Sequence, residues 1–186
     1  MKKKSLDSAF FRVFIFMFLC FAASGCGYTT SSLLPDGMDS IHVDNFVNAI
    51  DPTREISDKR SGYSYSPGIE NEITRAVIDG FIFDRQLDVD TEKNAALLLK
   101  GSLVDIRYSP LSYGDNDEIE EYRVEVFVDM ELFDNRTGES VWKEERFMGE
   151  ASYTVTGPNR KSGPQAQKDA VSDLAQRIVE RVVEEW

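Results

Sequence analysis

The stretch EYRVEVFVDMEL, residues 121–132, decides how this chain folds. Tyr122, Val124, Val126, Val128, Met130 and Leu132 stand at every second position. Glu121, Arg123, Glu125, Asp129 and Glu131 fill most of the places between them. Successive side chains of a strand point to opposite faces, so this pattern describes a strand with one face in a core and one in water. Just beyond it, Asp134-Asn135-Arg136-Thr137-Gly138 has the composition of a hairpin turn. A return strand from about Ser140 to Thr154 follows and carries Trp142. On the other side, Leu97 to Tyr108 reads as a strand with Leu98, Ser102, Val104, Ile106 and Tyr108 on one face and Lys100 interrupting it. Pro110 to Ile119 is a turn-rich acidic loop. The three strands form a meander.

Outside this meander the period changes. Ser66-Pro67 is placed to open a helix, with serine as N-cap and proline in the first turn, where its missing N–H costs nothing. Ile69, Ile73, Ala76, Val77 and Phe81 then line one helical face. Asp84-Arg85-Gln86 ends this helix, and Leu87 and Val89 make a short strand. Ile41 and Val43, alternating with His42 and Asp44, make another near the start. Residues 47–66 show no period, a long interval without an element for a compact domain. A final helix over roughly 165–185 buries Ala170, Val171, Leu174, Ala175, Ile178 and Val182, with Trp186 completing the stripe. Two helices with one apolar stripe each, and a sheet with one apolar face, predict an α+β two-layer sandwich. The expected sheet is mixed or antiparallel, four- to five-stranded, with both helices on one face.

The N-terminus is built differently. Lys2, Lys3, Lys4 and Arg12 precede an apolar run from Val13 to Ala23, too short for a membrane span of roughly 20 residues. Small residues then lead to a cysteine in Ala23-Ser24-Gly25-Cys26. This is the pattern of a cleaved secretory signal over residues 1–25, and small residues before a cysteine resemble a bacterial lipobox. The cysteine would then carry a diacylglycerol and an N-acyl chain. One buried chain holds a protein marginally and several hold it stably. Residues 26–39 are read as the lipidated start and a short Ser/Thr-rich tether, and residues 40–186 as a single domain. Gly27 rather than aspartate after Cys26 resembles lipoproteins sorted to the outer membrane.

Composition narrows the function. The whole chain carries a formal charge of −12. Residues 1–25 hold four bases against Asp7, so the remainder is near −15. Such acidity argues against nucleic-acid binding, which needs basic surface. After Cys20 leaves with the signal, Cys26 is the last thiol, and His42 is the sole histidine. No zinc site and no cysteine nucleophile follow from that inventory. Ser40, His42 and Asp44 lie along one strand and lack the strained turn of a nucleophile elbow. Asp115, Asn116, Asp117 and Glu118 lack the glycine and the alternate-position ligands of a calcium loop. No phosphate-binding loop or dinucleotide fingerprint occurs, and no enzyme, metal or other cofactor is expected. Asn135-Arg136-Thr137 matches a glycosylation acceptor but reads as a turn. Binding is expected in the loops, including 47–66 with Tyr63 and Tyr65, and 155–164.

Several motifs in order resemble one family. They are Cys26-Gly27-Tyr28, Leu34-Pro35, Ile41-His42-Val43 with Phe46 and Asn48, and Leu99-Lys100-Gly101-Ser102-Leu103. Glu121-Tyr122-Arg123-Val124, Asp134 to Gly138 with Val141-Trp142, and a last amphipathic helix complete the set. The pattern resembles the LptE family of lipopolysaccharide-assembly lipoproteins over essentially the whole chain. The resemblance implies a non-catalytic outer-membrane lipoprotein, facing the periplasm or inside a barrel lumen. Such a protein plugs the LptD β-barrel, supports its assembly and takes part in passing lipopolysaccharide to the outer leaflet. In the family, basic residues in two loops contact lipopolysaccharide. The first loop is acidic here (Asp115, Asp117, Glu118), and no contact is carried onto it. The second keeps Arg160 and Lys161, the two nominated contacts. The alternative is a lipoprotein that activates a peptidoglycan synthase or joins a secretion assembly. The short tether speaks against a partner across the periplasm.

Overall fold

The computed structural model describes residues 37–50 and 67–184. In chain order the elements are β1 (Ser40–Val43), β2 (Val47–Asn48), α1 (Ile69–Asp84), β3 (Asp88–Val89), β4 (Leu97–Tyr113), β5 (Ile119–Asp134), β6 (Glu139–Thr154) and α2 (Gly163–Glu184). The sheet runs β3-β1-β4-β5-β6, with β2 pairing to β4 beside β1. β1 is parallel to both β3 and β4, and β4, β5 and β6 form the antiparallel meander. The expected α+β class and mixed sheet hold. The sheet has six strands rather than four or five because two-residue β2, inside the stretch 47–66 that shows no period, pairs with β4 beside β1.

The alternation in β5 is realised residue by residue. Val124, Val126, Val128, Met130 and Leu132 are buried in one core with Ile73, Val77 and Phe81 of α1 and Leu174, Ile178 and Val182 of α2. Tyr122 packs against its margin. All six residues named for the α2 stripe are buried. Trp186 lies outside the described residues.

The expected face of β4 is corrected. Leu97, Leu99 and Leu103 enter the core, so the inner face starts on odd positions. A bulge between Leu103 and Asp105 inserts one unopposed residue, Val104. Beyond it the parity changes, and Ile106 and Tyr108 pack against the same core. A single extra residue flips every following side chain to the other face. The predicted set Leu98, Ser102, Val104, Ile106 and Tyr108 therefore mixes two faces.

Two boundaries also move. Ser66 lies outside the described residues, Pro67 sits in a turn, and α1 begins at Ile69 behind Gly68, which holds φ 99°. Thr74 joins the buried face, where its Oγ1 donates to the Glu70 carbonyl and accepts from the Phe46 N–H at 2.9 Å. β4 runs on to Tyr113, so Pro110 is a strand residue, paired with Tyr122. No described strand flanks β4 on its other side there, and a missing N–H is harmless on an edge.

Two glycines let layers approach. A Cβ on Gly101 would collide with Cε1 of Phe46, so the ring of Phe46 rests on β4 itself. A Cβ on Gly149 would collide with the backbone N of Leu174, which brings the α2 backbone down onto β6. Beside it, the Glu150 N–H donates to Asp173 Oδ2 at 2.9 Å.

Candidate functional site

The acidic loop between β4 and β5 and the loop that carries Arg160 and Lys161 lie side by side at one end of the sheet. The β4–β5 hairpin closes through Gly114 N–H to the Glu118 carbonyl, 2.8 Å. The segment after β6 is tied to it by Val155 N–H donating to the Glu120 carbonyl, 2.9 Å. Lys161 N–H returns to the Thr154 carbonyl, 3.0 Å, which folds residues 155–161 into a closed loop. The loop then enters α2 through a cap. Ser162 N–H and Oγ both donate to Gln165 Oε1, and the N–H groups of Gln165 and Ala166 donate to the Ser162 carbonyl. The spacing Ser-x-x-Gln is a capping-box signal, present in the sequence as Ser162 to Gln165 and missed there.

Arg160 and Lys161 thus stand on a braced loop, and they are not equivalent. Lys161 Nζ is bound to Asp169 Oδ2 at 2.5 Å. Arg160 is exposed and has no ion pair among the described residues. Beside them the hairpin presents Asp115, Asp117 and Glu118, together with the exposed apolar side chains of Leu111 and Tyr113. The acids do not converge, and no cluster of three metal-ligating side chains exists among the described residues. This end of the domain offers Arg160 outside any described ion pair, with exposed Lys168 nearby on α2, in an acidic setting with apolar groups near it.

The Ser40–His42–Asp44 series is taken up in local hydrogen bonds. His42 Nδ1 is 3.0 Å from the Asp90 carbonyl, Ser40 Oγ accepts from the Ala96 N–H, and Asp44 Oδ1 accepts from the Asn45 N–H. Each side chain is used locally to hold the start of the sheet. Cys26, Tyr63 and Tyr65 lie outside the described residues.

The opposite end is a set of latches. In the β5–β6 turn, Asn135 Nδ2 donates to the carbonyls of Glu92 and Ala95 at 2.6 and 2.9 Å. Arg136 grips Asp134 through Nε and Nη2 at 3.1 and 3.0 Å. The guanidinium, followed by the Arg136 N–H, holds the Asp134 carboxyl below its ordinary range, and the Arg136 pKa is raised in return. The Asn-Arg-Thr triplet is therefore a structural turn, as expected.

Sequence reading missed one cluster, on the outer face of the sheet. Phe127 points away from the core yet is only 7 % exposed. The guanidinium carbons of Arg107 and Arg146 lie 4.9 and 4.6 Å from its ring centroid. Asp105 Oδ2 joins both arginines, at 3.0 and 3.1 Å. Arg146 has φ 54° in a bulge of β6, and its N–H donates to Asp129 Oδ1 at 2.8 Å. Cationic planes over a ring face are favourable, and the arginine stems shield the ring from water. The one signal in the sequence was an apolar residue in a charged register.

A family model described as LptE, lipopolysaccharide-assembly, matches residues 39–185. No curated protein matches the chain. Among solved structures, the PelC dodecamer from Paraburkholderia phytofirmans is 20 % identical over 79 % of this chain and 93 % of that one, with a TM-score of 0.42. The rare lipoprotein B from Shewanella oneidensis is 13 % identical over 76 % and 89 %, at 0.40. Protein XCC0632 from Xanthomonas campestris is 9 % identical over 77 % and 83 %, at 0.52, and shows a shared fold alone.

Proposed function

The chain belongs to the LptE lipopolysaccharide-assembly family, and from that premise we propose that it is an outer-membrane lipoprotein, acylated on Cys26, that plugs and supports the LptD barrel. The observation that carries this is the extent of the family match, which takes in every described element from Asp39 to Glu184. A non-catalytic role fits the family and the local hydrogen bonding of Ser40, His42 and Asp44. A barrel lumen is lined mainly by polar groups, and the outer sheet face, with its paired charges, suits that setting.

Contact with lipopolysaccharide is assigned to Arg160, with Lys161 shared between Asp169 and the ligand. The net charge of the domain repels anionic lipid, so binding is local and salt-sensitive. The test is affinity purification from outer membranes. A stoichiometric large β-barrel partner supports the reading, and its absence, with normal barrel levels after depletion, rejects it in favour of a synthase activator or secretion subunit. Replacing Arg160 and Lys161 by alanine should lower lipopolysaccharide capture and leave barrel association intact.

A further inference from the structure

The last turn of α1 carries two large apolar side chains out of the core. Ile82 is 58 % and Phe83 89 % exposed, directly after Phe81, which is fully buried. Single apolar residues scattered on a surface are ordinary. An adjacent aliphatic and aromatic pair protruding from a helix end is a contact awaiting a surface. Its position in the fold says which surface.

Arg85 caps α1, and Asp88, five residues after Phe83, donates its N–H to the Asp39 carbonyl at 2.9 Å. Five residues reach at most roughly 17 Å. Phe83 therefore lies at the end of the domain where the N-terminal segment joins it. In the sequence Cys26 precedes Gly37 by only eleven residues, at most roughly 40 Å of extended chain. The apolar tips Leu111 and Tyr113 stand at the other end. Leu97 pairs with Ile41, and Leu111 is fourteen residues farther along β4, roughly 45 Å away.

We propose that Ile82 and Phe83 form a foot that rests in the interfacial layer of the leaflet in which the acyl chains of Cys26 are buried. The inference rests on the acylation of Cys26 proposed above. The occupant is phospholipid, and its charge is specified. Exposed Arg85 can reach a headgroup phosphate, while exposed Asp79 and Asp88 and half-exposed Asp84 make a strongly anionic surface unfavourable. A zwitterionic layer fits. The foot would set the orientation of the domain, with the Arg160 loop pointing away from the lipid.

The experiment uses residues 26–186, whose only thiol is Cys26, coupled to a maleimide lipid in phosphatidylethanolamine–phosphatidylcholine vesicles with brominated chains. Phe83→Trp and Leu111→Trp are each read against the parent. Interfacial side chains sit roughly 5–10 Å deep, so the emission added by Phe83→Trp should shift to the blue and fall about twofold. The emission added by Leu111→Trp should be unquenched. Ile82→Asp in the Phe83→Trp background should restore the lost emission. Metabolic palmitate labelling of the full chain separates the two claims. An unlabelled chain overturns the anchor and the foot together. A labelled chain in which the indole at position 83 is unquenched, or in which both positions are quenched equally, overturns the foot alone.

Discussion

On the inner face of β5, residues 124 to 132 bury every second side chain with no irregularity; on its outer face, Phe127 is covered by arginines from both neighbouring strands. The two faces are made by different means. The inner face needs only alternation, since any helix with an apolar stripe can cover it. The outer face depends on two bulges flanking Phe127 to Asp129, one in β4 after Leu103 and one in β6 at Arg146. Between Glu121 and Asp134, where it is paired on both sides, β5 takes no extra residue, and its one insertion, Glu120, lies past the last pair with β6. Its neighbours bulge where they are free to: β4 has lost β2 beyond Leu103, and β6 is the sheet edge. Irregularity collects in strands with an unpaired side, where one extra residue disturbs a single ladder.

The comparison breaks most directly at Val126. Val126→Asp should cost about 4 kcal/mol, an unpaired charge in a sealed core. Glu125→Lys, one residue away and facing out, should stay within about 0.5 kcal/mol. Equal denaturation midpoints for the two variants would abolish the distinction between faces.

Next comes the close approach of the helical layer. Gly149→Ala should cost about 3 kcal/mol because its Cβ meets the backbone of Leu174, which moves only with α2. Gly101→Ala meets the ring of Phe46, which can turn, and about 1–2 kcal/mol is expected. The reverse order in urea unfolding would place the rigid contact on the wrong strand.

Phe127→Ala tests the outer face itself. Much of its environment is arginine stem rather than core, so about 2 kcal/mol is expected rather than the larger loss of a core phenylalanine. That corresponds to roughly 4–8 °C in thermal melting for a domain of this size. A change below about one degree would mean that the arginines shield nothing.

Smaller again is the backbone of the β6 bulge. With φ at 54°, Arg146→Gly should be more stable than Arg146→Ala by about 1 kcal/mol, although both lose the guanidinium. Identical stabilities would remove the bulge as the device that aims this side chain.

The smallest effect is on the turn that ends β5. The Asp134 carboxyl is held below its ordinary range by Arg136. A depressed folded-state pKa contributes stability that is present above the unfolded value, near 4, and fades as pH falls through the folded one. Asp134→Asn should therefore lower stability at neutral pH slightly and flatten its acid-side decline, read as a shallower loss of Tm between about pH 5 and pH 2.

Period and punctuation alone determined the strand at 121–132, its hairpin to β6, the buried stripes of both helices and the α+β class, because each is a local pattern repeated over many residues. The ordering of weak motifs also sufficed to point to the family. The same residues did not reveal the β4 bulge, since one inserted position leaves local composition unchanged and only pairing with β5 exposes the parity change. Nor did they reveal that Gly101 and Gly149 are contact points, or that Lys161 is engaged by Asp169 while Arg160 is outside any described ion pair. Tertiary structure alone decided these matters, because a side chain's partner across a sheet or a layer is set by register and approach, which no local spacing encodes.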